Sequence, residues 1–121
     1  LLVTSNVEFA EELQEMLHPA NWEGVVCSLP EDAASLGGSF DAVLWDLPLG
    51  DADNLALAVG LRKAGYRGAL LIVSEDRSRP TVLKCLEAGV NYYLLKPLDT
   101  TNLLDKLAKL QAASASHATS R

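Results

Sequence analysis

Five times along this chain a short apolar run gives way to a punctuated helical signal, and that alternation restricts the fold more than any other feature. The runs are Leu1-Leu2-Val3, Val25-Val26-Cys27, Phe40 to Trp45, Ala69 to Val73, and Tyr92-Tyr93-Leu94-Leu95. From the second onward they are continuous rather than alternating, the pattern of strands covered by helices on both faces. Repeated strand-helix units joined by right-handed crossovers build a parallel sheet. The expectation is an α/β, doubly wound, five-stranded sheet with strand order 2-1-3-4-5.

The helix limits are written in capping and stop residues. Ser5-Asn6-Val7-Glu8 reads as a capping box with Ser5 as N-cap. It opens a helix with Phe9, Leu13, Met16 and Leu17 on its apolar face and His18-Pro19 at its end. Ser28-Leu29-Pro30-Glu31 repeats the device, with Gly37-Gly38 as the stop. A third helix is expected from about Asn54 to Ala64, ended by Gly65, and a fourth from near Pro80 to Gly89. Asp99 or Thr100 caps a fifth, whose apolar face is Leu103, Leu104, Leu107 and Leu110. The Ala- and Ser-rich stretch 112–121 reads as a linker or disordered tail, leaving 1–111 as the domain.

At 121 residues and 49% hydrophobic content, the chain is one domain able to bury a core without disulfides or metal. A net charge of -6, with its basic residues scattered, argues against a nucleic-acid surface. Cys27 and Cys85 fall inside a strand and a helix and have no metal-ligand spacing, so reduced buried thiols in a cytoplasmic protein are expected. No apolar stretch reaches about 18 residues, and no membrane contact is expected of this segment. Lacking an initiator Met and opening in a strand, the chain reads as a piece of a longer protein.

Parallel strands deliver their C-terminal ends to one edge. There Asp46 ends the third run, Ser74 the fourth, and Lys96-Pro97 follows the fifth, so an acid, a hydroxyl and an ammonium converge. The first strand ends in Thr4-Ser5-Asn6, without a carboxylate. Asp51-Ala52-Asp53 has too few ligands for a calcium loop and reads as a solvated helix entry. A flavin-phosphate site on the same flavodoxin-like topology would need glycine in the first loop, and Thr4-Ser5-Asn6-Val7 has none. Trp45 reads as core, and Lys84, Glu87, Asp105 and Lys106 as solvated helix charges.

The segments Asp46-Leu47-Pro48-Leu49-Gly50-Asp51-Ala52-Asp53, Ser74, Leu86-Glu87-Ala88-Gly89 and Tyr93-Leu94-Leu95-Lys96-Pro97 together make the chain resemble receiver domains of two-component response regulators, from Leu1 to about Leu110. The resemblance implies that Asp46 accepts a phosphoryl group, Ser74 is the switch hydroxyl, Lys96 holds phosphoryl oxygens and Tyr93 is the aromatic switch residue. It also implies Mg²⁺ as cofactor and a histidine kinase or phosphotransfer protein as partner. A fused output or kinase domain would lie outside these residues. Homodimerisation would use helix four, strand five and helix five. Such a domain is a switch rather than an enzyme.

Thr4 and Ser5 stand where the resemblance calls for the metal-binding acidic pair. The donors left are Asp46, the Pro48 carbonyl and the two hydroxyls. Mg²⁺ prefers one or two carboxylates plus substrate phosphate. Each missing charge contact at about 4 Å is worth on the order of 4 kcal/mol at an effective dielectric near 20, before desolvation and screening. Weak Mg²⁺ binding is expected, and a receiver-like docking module that works without phosphorylation is the alternative.

Overall fold

The computed structural model describes residues 1–36, 38 and 40–119, with side chains through residue 112. Five strands, β1 (Leu2–Val3), β2 (Val26–Cys27), β3 (Ala42–Leu47), β4 (Ala69–Ser74) and β5 (Tyr92–Leu95), alternate with α1 (Val7–Leu17), α2 (Ala33–Leu36), α3 (Ala52–Val59), α4 (Arg79–Glu87) and α5 (Thr100–Thr119). All neighbouring strands pair in parallel, in the order β2-β1-β3-β4-β5, as the alternation requires.

The two-residue period of a strand divides the core into two layers. Leu2, Leu44, Leu71, Val73 and Leu94 point to one face, where they meet Phe9, Leu13 and Leu17 of α1 and Leu103 and Leu107 of α5. Val3, Val43, Trp45, Leu70 and Ile72 point to the other, against Ala33, Ala58, Leu61 and Cys85 from the α2 to α4 side. By this parity Asp46 follows Leu44 onto the α1/α5 face, whereas Ser74 follows Ile72 onto the α4 face.

Several helix limits differ from the sequence expectation. The N-cap of α1 is Asn6, whose side chain accepts from Phe9 N at 3.1 Å, while Ser5 is exposed and caps nothing. Thr4 binds the Asn6 amide, which delays the turn by one residue. The Ser28 box does not cap: Leu29 precedes a single 3₁₀ turn, Pro30–Asp32, and the four-residue α2 follows. Gly37 lies outside the described residues. α3 starts earlier because Asp51 accepts from Asn54 N at 2.9 Å, and it ends at Val59 with Gly60 as C-cap. Gly65, at φ +105°, closes the turn that follows. Gly89, at φ +97°, stops α4 as expected. Asp99 accepts from Thr101 N at 2.9 Å at the start of α5, whose helix takes in residues 112–119 of the stretch expected as a tail.

Arg62 ties the opposite edge of the sheet together. Nε donates to Gly89 O at 3.1 Å, Nη1 to Tyr66 O at 3.1 Å and Gly68 O at 2.5 Å, and Nη2 to Asn91 Oδ1 at 3.0 Å. That Asn91 oxygen also accepts from Leu70 N, so the clamp reaches β4. Cys27 and Cys85 are buried free thiols, and burial pushes both thiol pKa values up. Asp105 pairs with Lys109 at 3.2 Å and Lys106 at 3.7 Å on the outside of α5, where such pairs contribute little. Among the described residues no helix is long and apolar enough to cross a membrane.

Candidate functional site

Three strand ends deliver the groups around Asp46. β3 carries Asp46 itself, in register with Val73 of β4. Thr4 follows β1 directly, and Lys96 follows β5, with its amide donating to Ser74 O at 2.9 Å. Asp46 is 9% exposed, Thr4 4% and Lys96 21%. A carboxylate so far removed from water needs partners, and both of its oxygens have one.

Lys96 Nζ lies 2.7 Å from Asp46 Oδ1. The contact is a charge-assisted ion pair, and Lys96 is the partner that the buried Oδ1 has. The ammonium also sits over the Phe9 ring, 4.1 Å from its centroid. On the other oxygen, Thr4 Oγ1 donates to Oδ2 at 2.7 Å. The same Thr4 oxygen accepts from Asn6 N at 3.1 Å, which aims its proton at the carboxylate. Carboxylate and ammonium sum to zero charge.

Ser74 and Tyr93 form a second group on the other face. Ser74 is fully buried, and its Oγ accepts from Asp76 N at 3.0 Å. The Tyr93 hydroxyl donates to Asp76 O at 2.7 Å. One residue of the β4–α4 loop therefore holds both. Burial is the main cause that raises the Tyr93 pKa, opposed by hydrogen bonding with Ser74. Hydrogen bonds from Ser78, side chain and backbone, and from Thr81 lower that of Asp76. Among the described residues no hydrogen bond joins Ser74 to Asp46.

The remaining site positions are peripheral. Ser5 is exposed, and the Pro48 carbonyl accepts from Asp51 N at 3.4 Å. Trp45 points away from Asp46 and donates from Nε1 to Asn54 Oδ1 at 2.6 Å. No group of three His, Cys, Asp or Glu side chains gathers among the described residues. For Mg²⁺ the donor set is poor: one carboxylate, already holding an ammonium and a hydroxyl proton, and a Thr4 oxygen already accepting an amide.

Sequence reasoning missed Phe9, Asn6 and Asp76. Phe9 reads as an ordinary core residue by its helical spacing, and it is one, but the face of its ring also meets Lys96. Asp76 acts through its backbone, for which no side-chain pattern exists.

The family model described as response regulator receiver domain matches residues 1–108. Swarming motility regulation protein RssB of Serratia marcescens is 27% identical over 98% of this chain and 55% of its own length. A receiver domain protein from Methanospirillum hungatei superimposes with TM-score 0.81 at 19% identity, covering 95% of this chain and 94% of that one. A Burkholderia pseudomallei response regulator, solved with a phosphorylated aspartic acid, a calcium ion and citrate, gives TM-score 0.74 at 24% identity over 96% of this chain and 72% of that one. The chain spans about half the length of the first curated relatives it matches.

Proposed function

The chain belongs to the response regulator receiver domain family, and from that premise we propose that it is a phosphoryl-accepting switch with Asp46 as acceptor and a weakened Mg²⁺ site. Receiver domains are signalling modules of two-component systems rather than enzymes; they partner with histidine kinases and in general bind Mg²⁺.

One observation carries the acceptor reading: a strand-end carboxylate, nearly sealed from water, whose Oδ1 faces an ammonium at 2.7 Å. The solved relative with a phosphorylated aspartic acid lends the analogy. An acyl phosphate would be attacked by Oδ1. The new Oδ1–P bond forms as the donor's P–O bond breaks, and the carboxylate of the donor leaves with the electron pair. Lys96 then faces the added phosphoryl oxygens, in line with the dependence of such transfers on positioning and charge neutralisation.

In this reading residues 1–111 form the switch. A histidine kinase or phosphotransfer protein loads it in the cytoplasm, and an output domain outside these residues reads it. Ser74 and Tyr93 share Asp76, so charge added at Asp46 that drew on Ser74 would be felt at the start of α4. Leu83, Leu86 and Leu95 are exposed large apolar residues of α4 and β5, a face suited to a partner or a second copy. Thr4 and Ser5, in the acidic-pair positions, are what weaken the metal site, and Pro48 offers it only a carbonyl.

A second reading, a docking module that works unphosphorylated, is favoured by the complete pairing of the Asp46 carboxylate at rest. Intact-mass measurement after incubation with acetyl phosphate and Mg²⁺ separates the two. A single hydroxylamine-labile phosphoryl adduct, absent in Asp46→Asn, supports the switch. Absence of an adduct from the unaltered chain, also with a panel of histidine kinases, supports the docking module.

A further inference from the structure

The segment that should supply metal ligands supplies something else. Thr4 donates to Asp46 Oδ2 at 2.7 Å and accepts from Asn6 N at 3.1 Å. Asn6 is the N-cap of α1, so its amide belongs to the positive end of that helix. Phe9, one turn further on, places its ring 4.1 Å from the Lys96 ammonium. A ring face attracts a cation, more strongly in a site shielded from water. The β1–α1 segment therefore binds one carboxylate oxygen through a hydroxyl and steadies the cation on the other.

We infer that Thr4 takes the place of a divalent cation as the group that holds Asp46 by Oδ2, making Asp46 a phosphoryl acceptor that works without metal. The inference rests on the acceptor reading and deepens it. With the Thr4 proton fixed on Oδ2, attack falls to Oδ1, the oxygen that faces the Lys96 ammonium. Lys96, held between Oδ1 and Phe9, provides the positive charge for the transferred group. Thr4 is thus a positioning residue, and Phe9 is the wall that keeps Lys96 in place.

Three features of this arrangement work against a cation. The Thr4 proton lies on the oxygen that a metal would take. One lone pair of the Thr4 oxygen is taken by the Asn6 amide. The Asp46–Lys96 pair leaves no net negative charge to neutralise. An Asp in place of Thr4 reverses the first and the third, since it brings no proton and two adjacent carboxylates need a counterion that one Lys cannot supply.

The test is the rate of acetyl phosphate labelling of the intact chain, read by intact mass, in EDTA and in millimolar Mg²⁺. For the unaltered protein the two rates should agree within about threefold. Thr4→Val should label about tenfold more slowly in both, the loss expected for one hydrogen bond to a charged group. Thr4→Ser, which keeps the hydroxyl, should restore most of the rate. Thr4→Asp should become metal-dependent, gaining about tenfold or more on Mg²⁺ addition, a change that a purely structural Thr4 would not produce. Labelling of the unaltered chain only with Mg²⁺, or a Thr4→Asp variant indifferent to Mg²⁺, overturns the inference and leaves the acceptor reading standing. No labelling in either condition overturns the inference, and the acceptor reading falls with it only if a panel of histidine kinases also leaves no adduct. If Thr4→Val fails to fold by its tryptophan emission, the EDTA comparison on the unaltered protein still decides.

Discussion

Replacing Lys96 by Met keeps most of the side chain's apolar stem and removes the charge. Asp46, 9% exposed, would keep the Thr4 proton on Oδ2 and have nothing on Oδ1. Deleting one partner of a fully buried pair costs roughly 3–5 kcal/mol, most of it the penalty of the charge left behind. Lys96 retains 21% exposure, so some screening operates and the lower end applies, about 3 kcal/mol. Asp46→Asn is not its mirror image. The freed ammonium can follow its exposed path to water and keep the Phe9 ring beneath it, and an amide oxygen can still accept from Thr4. That loss should be about 1 kcal/mol. Combining the two substitutions removes the stranded charge, so the double variant should be more stable than Lys96→Met alone. Urea unfolding at neutral pH, followed by tryptophan emission, measures all three. With a slope near 2 kcal/mol per molar, Lys96→Met should lower the midpoint by about 1.5 M with the slope unchanged. Equal costs for the single substitutions, or a double variant less stable than Lys96→Met, would refute the reasoning.

Arg62→Met should destabilise by about 2–3 kcal/mol in the same assay, because four acceptors lose a charged donor at a partly solvated edge. Asp51→Ala should cost about 1 kcal/mol through loss of the α3 cap, while Ser5→Ala should cost nothing measurable. Stability should also fall in alkali. Burial, partly offset by Arg62, pushes the Tyr66 phenol up to about 12, against about 10 in an unfolded chain. The unfolded state thus loses its proton first. The stabilisation is complete below about pH 10 and disappears as the pH rises through about 12, a loss of up to ~2–3 kcal/mol. Denaturant midpoints across that range should show a shallower decline for Tyr66→Phe, and an undiminished slope would remove Tyr66 as the cause.

The sheet was legible because its signal is redundant. Five apolar runs, each followed by a helix, leave few topologies, and no single boundary has to be right for the strand order to emerge. Helix ends were less legible because capping is decided by competition among adjacent residues. Ser5, Asn6 and Asp51 all have capping side chains. Asn6 prevails over Ser5 because Thr4 already holds the Asn6 amide and the helix can begin only after it. Asp51 prevails over Asp53 and sets α3 two residues ahead of its expected start. Nor could residue spacing reveal the Arg62 clamp: three of its four acceptors are backbone carbonyl or side-chain oxygens brought together from Gly68, Gly89 and Asn91 only by the completed sheet.

At the candidate site, convergence was legible and pairing was not. Strand ends bring Asp46, Lys96 and Thr4 to one edge whatever their rotamers. The faces on which side chains emerge then divide the group, because Asp46 shares the parity of Leu44 while Ser74 shares that of Ile72. Hence Asp46 finds Thr4 and Lys96, while Ser74 finds the Asp76 amide, although Ser74 pairs in register with Leu47, the neighbour of Asp46. Thr4 is the position at which counting charges alone misleads. As a residue lacking a carboxylate it reads as a loss. As a buried hydroxyl with both its proton and an oxygen lone pair committed, it is, under the inference drawn above, an exchange of a mobile cation for a fixed dipole. The exchange is consistent with the rest of the pocket: a fixed donor suits a site whose net charge is already zero, whereas a second acid there would strand a charge next to Asp46.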